Sequence, residues 1–229
     1  MKTLAAHQPQ YLPWLGFFDK LDRADIFVLL DNVQFKKNEW QNRNRIKTSE
    51  GWQWLTVPVR HRFPQSIAEV KIDQQAPWER KHLQALQSNY GKATHFDDTM
   101  RPIRKALGAS WGHLAALNTA LIRGLATALG IDTPLVLAST LTARAQPNDR
   151  LIDLCTALEA DTYLSGPGAS GYLDVGAFEN AGISVRFQQF DHPVYPQLYG
   201  PFEANLSVVD LLMNCGGESL SVIRSVEGR

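Results

Sequence analysis

Thr3-Leu4-Ala5-Ala6-His7-Gln8-Pro9-Gln10-Tyr11-Leu12-Pro13-Trp14, followed after a short amphipathic stretch by Ile26-Phe27-Val28-Leu29-Leu30-Asp31, decides the fold. Thr3–Ala6 is short and apolar and reads as a first buried strand. Pro9 and Pro13 exclude a regular helix or a central strand from the loop after it, because each lacks a backbone donor and fixes φ. From Leu15 to Ala24, the positions of Phe17, Phe18 and Leu21 fit a helix. Ile26–Leu30 is a continuous apolar run ending at Asp31, the pattern of a parallel strand buried on both faces. Strand, loop, helix and strand make a βαβ unit, with His7 placed after its first strand and Asp31 at the end of its second.

The second half repeats that rhythm. Leu135–Ala138, Thr162–Ser165 and Ile183–Phe190 read as strands. Helices are expected from a cap at Asn148 or Asp149 through Ala157, over Val175–Ala181, and over Leu206–Asn214 with Gly216 and Gly217 behind it. Between the halves, residues 32–130 look like an insertion. Gln34 to Lys47 is polar and reads as a cationic loop, Trp52–Val59 and Ile67–Ile72 as strands, and Trp78–Asn89 and Met100–Leu107 as helices. Gly112–Leu129 is the clearest helix, with Leu114, Leu117, Leu121, Ile122, Leu125 and Leu129 on one stripe and Gly130 as its C-terminal cap. The tail after Ser221 is expected to fray. The fold class is therefore α/β: one domain over residues 1–229 with a Rossmann-like, mostly parallel sheet, helices on both faces, and a small inserted mixed or helical region.

Composition bounds the function. The 229 residues are 44% hydrophobic and 20% charged, which is enough apolar material for a sizeable core. Lys plus Arg and Asp plus Glu both number 23. The balance argues against a protein that coats nucleic acid through its phosphates. Cys155 and Cys215 read as free thiols of a reducing compartment, not as a disulfide framework or a zinc site. The first residues hold no apolar signal core, and no run approaches the roughly 20 apolar residues of a membrane span. A cytoplasmic location is expected.

Four constellations carry chemistry. In open parallel sheets ligands bind beyond the carboxyl ends of the strands, which brings His7, Gln10, Trp14 and Asp31 forward together. His7 reads as a general acid or base and Asp31 as its orienting partner or a sugar ligand; the bland alternative is a structural histidine and a turn aspartate. Gln34, Lys36, Lys37, Asn42, Arg43 and Arg45 interleave with Phe35 and Trp40. Arg43 and Gln34 are the candidates there for a diphosphate or carboxylate, while Lys36 and Lys37 read as solvated. Gly166-Pro167-Gly168-Ala169-Ser170-Gly171-Tyr172 follows a strand, and with Ser165, Gly166 and Tyr172 offers donors to an anion or simply a tight turn. It is neither a P-loop nor a dinucleotide fingerprint. Asp191-His192-Pro193-Val194-Tyr195-Pro196-Gln197 is pinned by two prolines, with His192 and Gln197 as rim candidates. The histidines show no metal-ligand spacing, and no G-x-S-x-G elbow is present.

His7 through Phe18, with Asp31-Asn32-Val33-Gln34-Phe35, resembles the WbqC-like family. So do Tyr163-Leu164-Ser165-Gly166, Gly171-Tyr172-Leu173, His192-Pro193 to Gln197, and Leu206–Asn214; the resemblance spans nearly the whole chain. It implies a bacterial transferase of O-antigen and surface-polysaccharide biosynthesis that acylates an amino sugar with glycine or another acyl group. His7 and Asp31 would be catalytic. The implied partner is a small molecule, a nucleotide-linked amino sugar, with ATP or an acyl-carrier donor as co-substrate and no nucleic acid. By analogy, the strand, His-bearing loop, helix and Asp-ended strand also resemble HIGH-type nucleotidyltransferases, which keeps a nucleotide-dependent ligase open. Gly16 is followed by Phe17, however, and the second histidine of that motif is missing. A non-enzymatic binding protein of a polysaccharide assembly complex is the third alternative.

Overall fold

The computed structural model describes residues 1–169 and 171–226. The chain opens with β1 (Thr3–His7), α1 (Leu15–Asp22) and β2 (Ile26–Leu29). β1 and β2 are parallel, with Leu4 opposite Ile26 and His7 opposite Leu29. Next come β3 (Arg43–Thr48) and β4 (Gly51–Thr56), an antiparallel hairpin, and then β5 (Val59–Arg60) and β6 (Lys71–Ile72). Three helices follow: α2 (Trp78–Tyr90), α3 (Phe96–Leu107) and α4 (Leu114–Leu129). The Rossmann-like rhythm then resumes with β7 (Leu135–Leu137), α5 (Pro147–Ala157), β8 (Thr162–Ser165), α6 (Val175–Asn180) and β9 (Ser184–Phe187). α7 (Val208–Cys215) and α8 (Ser219–Arg224) close the chain.

The five strands β1, β2, β7, β8 and β9 form one sheet in the order β7-β2-β1-β8-β9, all parallel. The chain builds outward from β1 in one direction and then, from β8, in the other. The switch point therefore lies between β1 and β8, where departing loops leave a crevice at the carboxyl edge.

Strand alternation decides which side chains face which layer. Ala5, Phe27 and Leu29 point into one core cluster, packed with α1, α3, α4 and α7. Leu4, Ala6, Ile26 and Val28 point into the other, with α5 and α6. Both faces are thus buried, as the unbroken apolar runs of β1 and β2 require. Gly130 ends α4 in the left-handed region at φ 79°, where a side chain would be strained.

Several sequence expectations are corrected. Arg43–Thr48 is a strand, not part of a loop: Asn44 and Ile46 are buried while Arg43 and Arg45 lie over the indoles of β4. Ile67–Glu69 is a 3-10 turn, and only Lys71 and Ile72 pair as a strand. Neither Asn148 nor Asp149 caps α5, which starts at Pro147 after Gln146. The chain is ordered from Ser221 through Arg224, since α8 buries Ile223 and Arg224 pairs with Asp22 of α1 at 2.8 Å, and the part of the expected frayed tail beyond Val226 lies outside the described residues.

Candidate functional site

β1 delivers His7 to the carboxyl edge of the sheet. Its Nδ1 lies 3.0 Å from the Gln8 carbonyl oxygen, which can only accept. Nδ1 therefore carries the proton, and Nε2 keeps its lone pair. The ring meets Phe17 of α1 edge-on at 5.2 Å. Burial, reinforced by the Lys20 charge nearby, lowers the His7 pKa to about 3, so the imidazole is neutral at physiological pH.

α1 supplies the second ionisable group. Lys20 is only 3% exposed, and its Nζ donates to the Ala6 carbonyl at 3.0 Å. Burial lowers its pKa to about 7. The neighbouring Asp19 is engaged elsewhere, by Arg23 at 2.9 Å and by the Gln188 amide at 2.7 Å. Gln188 follows β9, donates also to the Gly16 carbonyl at 2.8 Å, and so ties the far edge of the sheet to α1. Trp14 immediately precedes α1. A Cβ on Gly16 would overlap the Trp14 ring, so glycine at that position lets the indole lie against the helix start.

β8 lies beside β1 with Ala5 opposite Leu164, so Ser165 and Gly166 come level with Ala6 and His7. A crevice of about 810 Å³ opens there, within the range of small-molecule sites. His7, Trp14, Gln34, Ser165, Gly166 and Tyr172 line it, and so do Lys20, Lys36, Arg150, Asn32 and Gln188. No aspartate or glutamate does, among the described residues. Gln41 bridges the wall by accepting from the Lys36 amide at 2.8 Å and donating to the Gln8 side chain at 2.7 Å. The Asn32 side-chain oxygen is buried without a hydrogen-bond partner.

The remaining sequence candidates lie elsewhere. Asp31, expected to orient His7, is buried and accepts from the Ser139 amide at 2.8 Å and the Ser139 hydroxyl at 2.6 Å. It braces the turn after β7. Arg43, expected at a diphosphate, stacks its guanidinium 4.1 Å from the Trp54 ring centroid. Gln10 is buried outside the crevice. His192 packs between Tyr195 and Phe202, with Nδ1 donating to the Pro193 carbonyl at 2.9 Å. Gln197 accepts from the buried Lys47 amine at 2.9 Å and exchanges two bonds with the Glu203 backbone. Beside it, Tyr90 and Tyr195 donate to the buried Asp210 carboxylate, a network that joins α7 to α2. Ser170 of the glycine loop lies outside the described residues.

Lys20 and Arg150 are the groups that sequence reasoning passed over. Lys20 had a signal: it stands three residues after Phe17, on the same face of a helix whose other members are apolar. Arg150 had none, because its approach depends on how α5 packs. Neither cysteine is a ready nucleophile, since burial raises Cys155 to about 12 and Cys215 in the same direction. Among the described residues, no three His, Cys, Asp or Glu side chains converge as a metal site, and no helix is long and apolar enough to cross a membrane.

Comparison with known proteins places the chain in a family. Residues 8–222 match the WbqC-like protein family, and the chain belongs to it. A relative in Mycobacterium tuberculosis, the uncharacterized protein Rv1507c, is 39% identical over 230 residues, an alignment covering 98% of each chain. No solved structure matches the chain.

Proposed function

We propose that this WbqC-like protein is a transferase that holds a nucleotide-linked amino sugar in the β1–β8 crevice and acylates the sugar amine with glycine or another acyl group, in the assembly of a bacterial surface polysaccharide. The observation that carries the reading is the lining of the crevice: Lys20, Lys36 and Arg150 beside a neutral histidine, with no carboxylate among the described lining residues. Cations converging without counter-charges favour an anionic ligand, and a diphosphate supplies that charge. Trp14 and Tyr172 offer faces for a base or a sugar ring. His7 presents Nε2 as an acceptor for the N–H of the attacking amine. As the C–N bond forms, the proton passes to His7 and the donor's leaving group departs. The low pKa of His7 keeps Nε2 free of protons before the reaction.

The same lining supports a second reading, a ligase that uses ATP, because a triphosphate meets the same cations at the same switch point. Pyrophosphate release separates the two.

A thermal-shift panel of UDP- and dTDP-amino sugars, acyl-CoA, glycine and ATP tests the proposal. A ligand at about 100 times its Kd adds roughly 2.7 kcal/mol to stability. Stabilisation by an amino-sugar nucleotide, followed by a product heavier by one acyl group, is the expected result. Stabilisation by ATP alone, with pyrophosphate released, replaces the first reading with the second.

A further inference from the structure

We infer that Lys20 is the anion anchor of the crevice, a buried amine that takes up a proton as the phosphate groups of a ligand enter. This rests on the reading of the crevice as the site of a phosphate-bearing ligand, and it names the group that receives the charge. Lys20 is almost inaccessible, yet it lines the crevice, with Nζ beneath Gly166 and one hydrogen bond to the Ala6 carbonyl. A Cβ added to Gly166 would lie 3.8 Å from Nζ, so the glycine leaves room for a ligand oxygen between loop and amine.

The charged and titratable groups around Lys20 come from every neighbouring element. β1 contributes the neutral His7, and β8 contributes Tyr163, whose phenol burial keeps protonated. On α1 itself, Asp19 faces Arg23 and Gln188, while Asp22 is paired with Arg224 of α8. Lys36 and Arg150 line the same crevice and add like charge. Burial disfavours the charged amine, whose pKa is lowered to about 7. A dianion reverses the balance, because an opposite charge in contact favours the protonated form. Below pH about 7 the amine is protonated with or without ligand, and affinity is insensitive to pH. Above it, each unit of pH lowers affinity by up to about tenfold, until the raised pKa of the complex is reached.

The test uses the full chain, lysines labelled at Cε, and UDP-N-acetylglucosamine, whose diphosphate diester keeps a constant charge through this range. NMR titration follows the Lys20 resonance, assigned from its absence in Lys20→Met. The expected result is a midpoint near neutrality in the free protein, displaced upward by at least about one pH unit when the nucleotide sugar is saturating. Affinity falls about tenfold or more in Lys20→Met, the scale of losing a hydrogen bond to a charged group. Lys20→Arg, which keeps a permanent charge, retains binding without proton uptake. A Lys20 midpoint that the ligand does not move overturns the inference, and so does wild-type affinity in Lys20→Met. An amino-sugar acylation product with an unmoved Lys20 removes the anchor and leaves the transferase. A displaced Lys20 with no acylation product does the reverse.

Discussion

The amine of Lys20 lies 3.0 Å from the carbonyl of Ala6, the residue just before His7. A cation carried by α1 is thereby fastened to the strand that presents the imidazole. Burial lowers the pKa of both groups, His7 to about 3 and Lys20 to about 7, and the Lys20 charge is a second, smaller cause at His7.

Replacing His7 separates chemistry from folding. His7→Ala is expected to lose about tenfold or more in kcat, the lower end of what a positioned acceptor contributes. Its melting temperature at neutral pH should stay close to wild type. Acid alters the comparison. His7 has a folded pKa of about 3 against 6.5 unfolded, so the unfolded chain binds more protons between these values. Wild type therefore loses stability as pH falls from 6.5 towards 3, while His7→Gln loses less, measured by urea unfolding at each pH.

The sign for Lys20 is set by its folded pKa, about 7 against 10.5 in the unfolded chain. Between these values the unfolded chain again binds more protons, so wild-type stability rises with pH. Lys20→Met lacks this slope, which is about 1.4 kcal/mol per pH unit in wild type. At pH 7 and below, where the wild type carries the full penalty of a buried charge, the variant should be the more stable. Removing the ammonium also raises the pKa of His7, readable from its ring protons.

Asp31 has a structural consequence. Asp31→Ala leaves the Ser139 amide and hydroxyl without their acceptor and is expected to destabilise the fold by about 1–3 kcal/mol. Its kcat at permissive temperature should match wild type, because the carboxylate makes its contacts at the turn after β7 and not at His7. Chemical denaturation and steady-state rates on one preparation check both halves.

Gly16 holds the crevice wall in shape. Gly16→Ala places a methyl group against the Trp14 ring, and the indole must shift. Overpacking of this kind costs about 1–3 kcal/mol. The expected signature is lowered stability, an altered tryptophan emission spectrum, and weaker binding of a nucleotide sugar.

The sheet was legible because β1 and β2 write their burial on both faces as unbroken apolar runs, and α4 writes its own as a leucine stripe. β3 was not, because Arg43 and Arg45 are covered by Trp52 and Trp54 of a partner strand, which removes any apolar alternation from its own sequence. α8 escaped notice because its anchor, Arg224 with Asp22, spans nearly the whole chain. His7, Trp14, Gln34, Ser165, Gly166 and Tyr172 were traceable to strand ends and the loops after them. The partner of Asp31 was not legible for a physical reason: its carboxylate accepts from Ser139, 108 residues away, and no local pattern records that pairing.

Calorimetric titration of a UDP-amino sugar into the wild type and into Lys36→Glu and Arg150→Glu decides whether the cations of the crevice hold a phosphate-bearing ligand. One ligand per chain and at least about tenfold weaker binding in each variant are expected, since reversing a charge removes an attraction and adds a repulsion. Unchanged affinity in both variants, or no binding to the wild type, would contradict it.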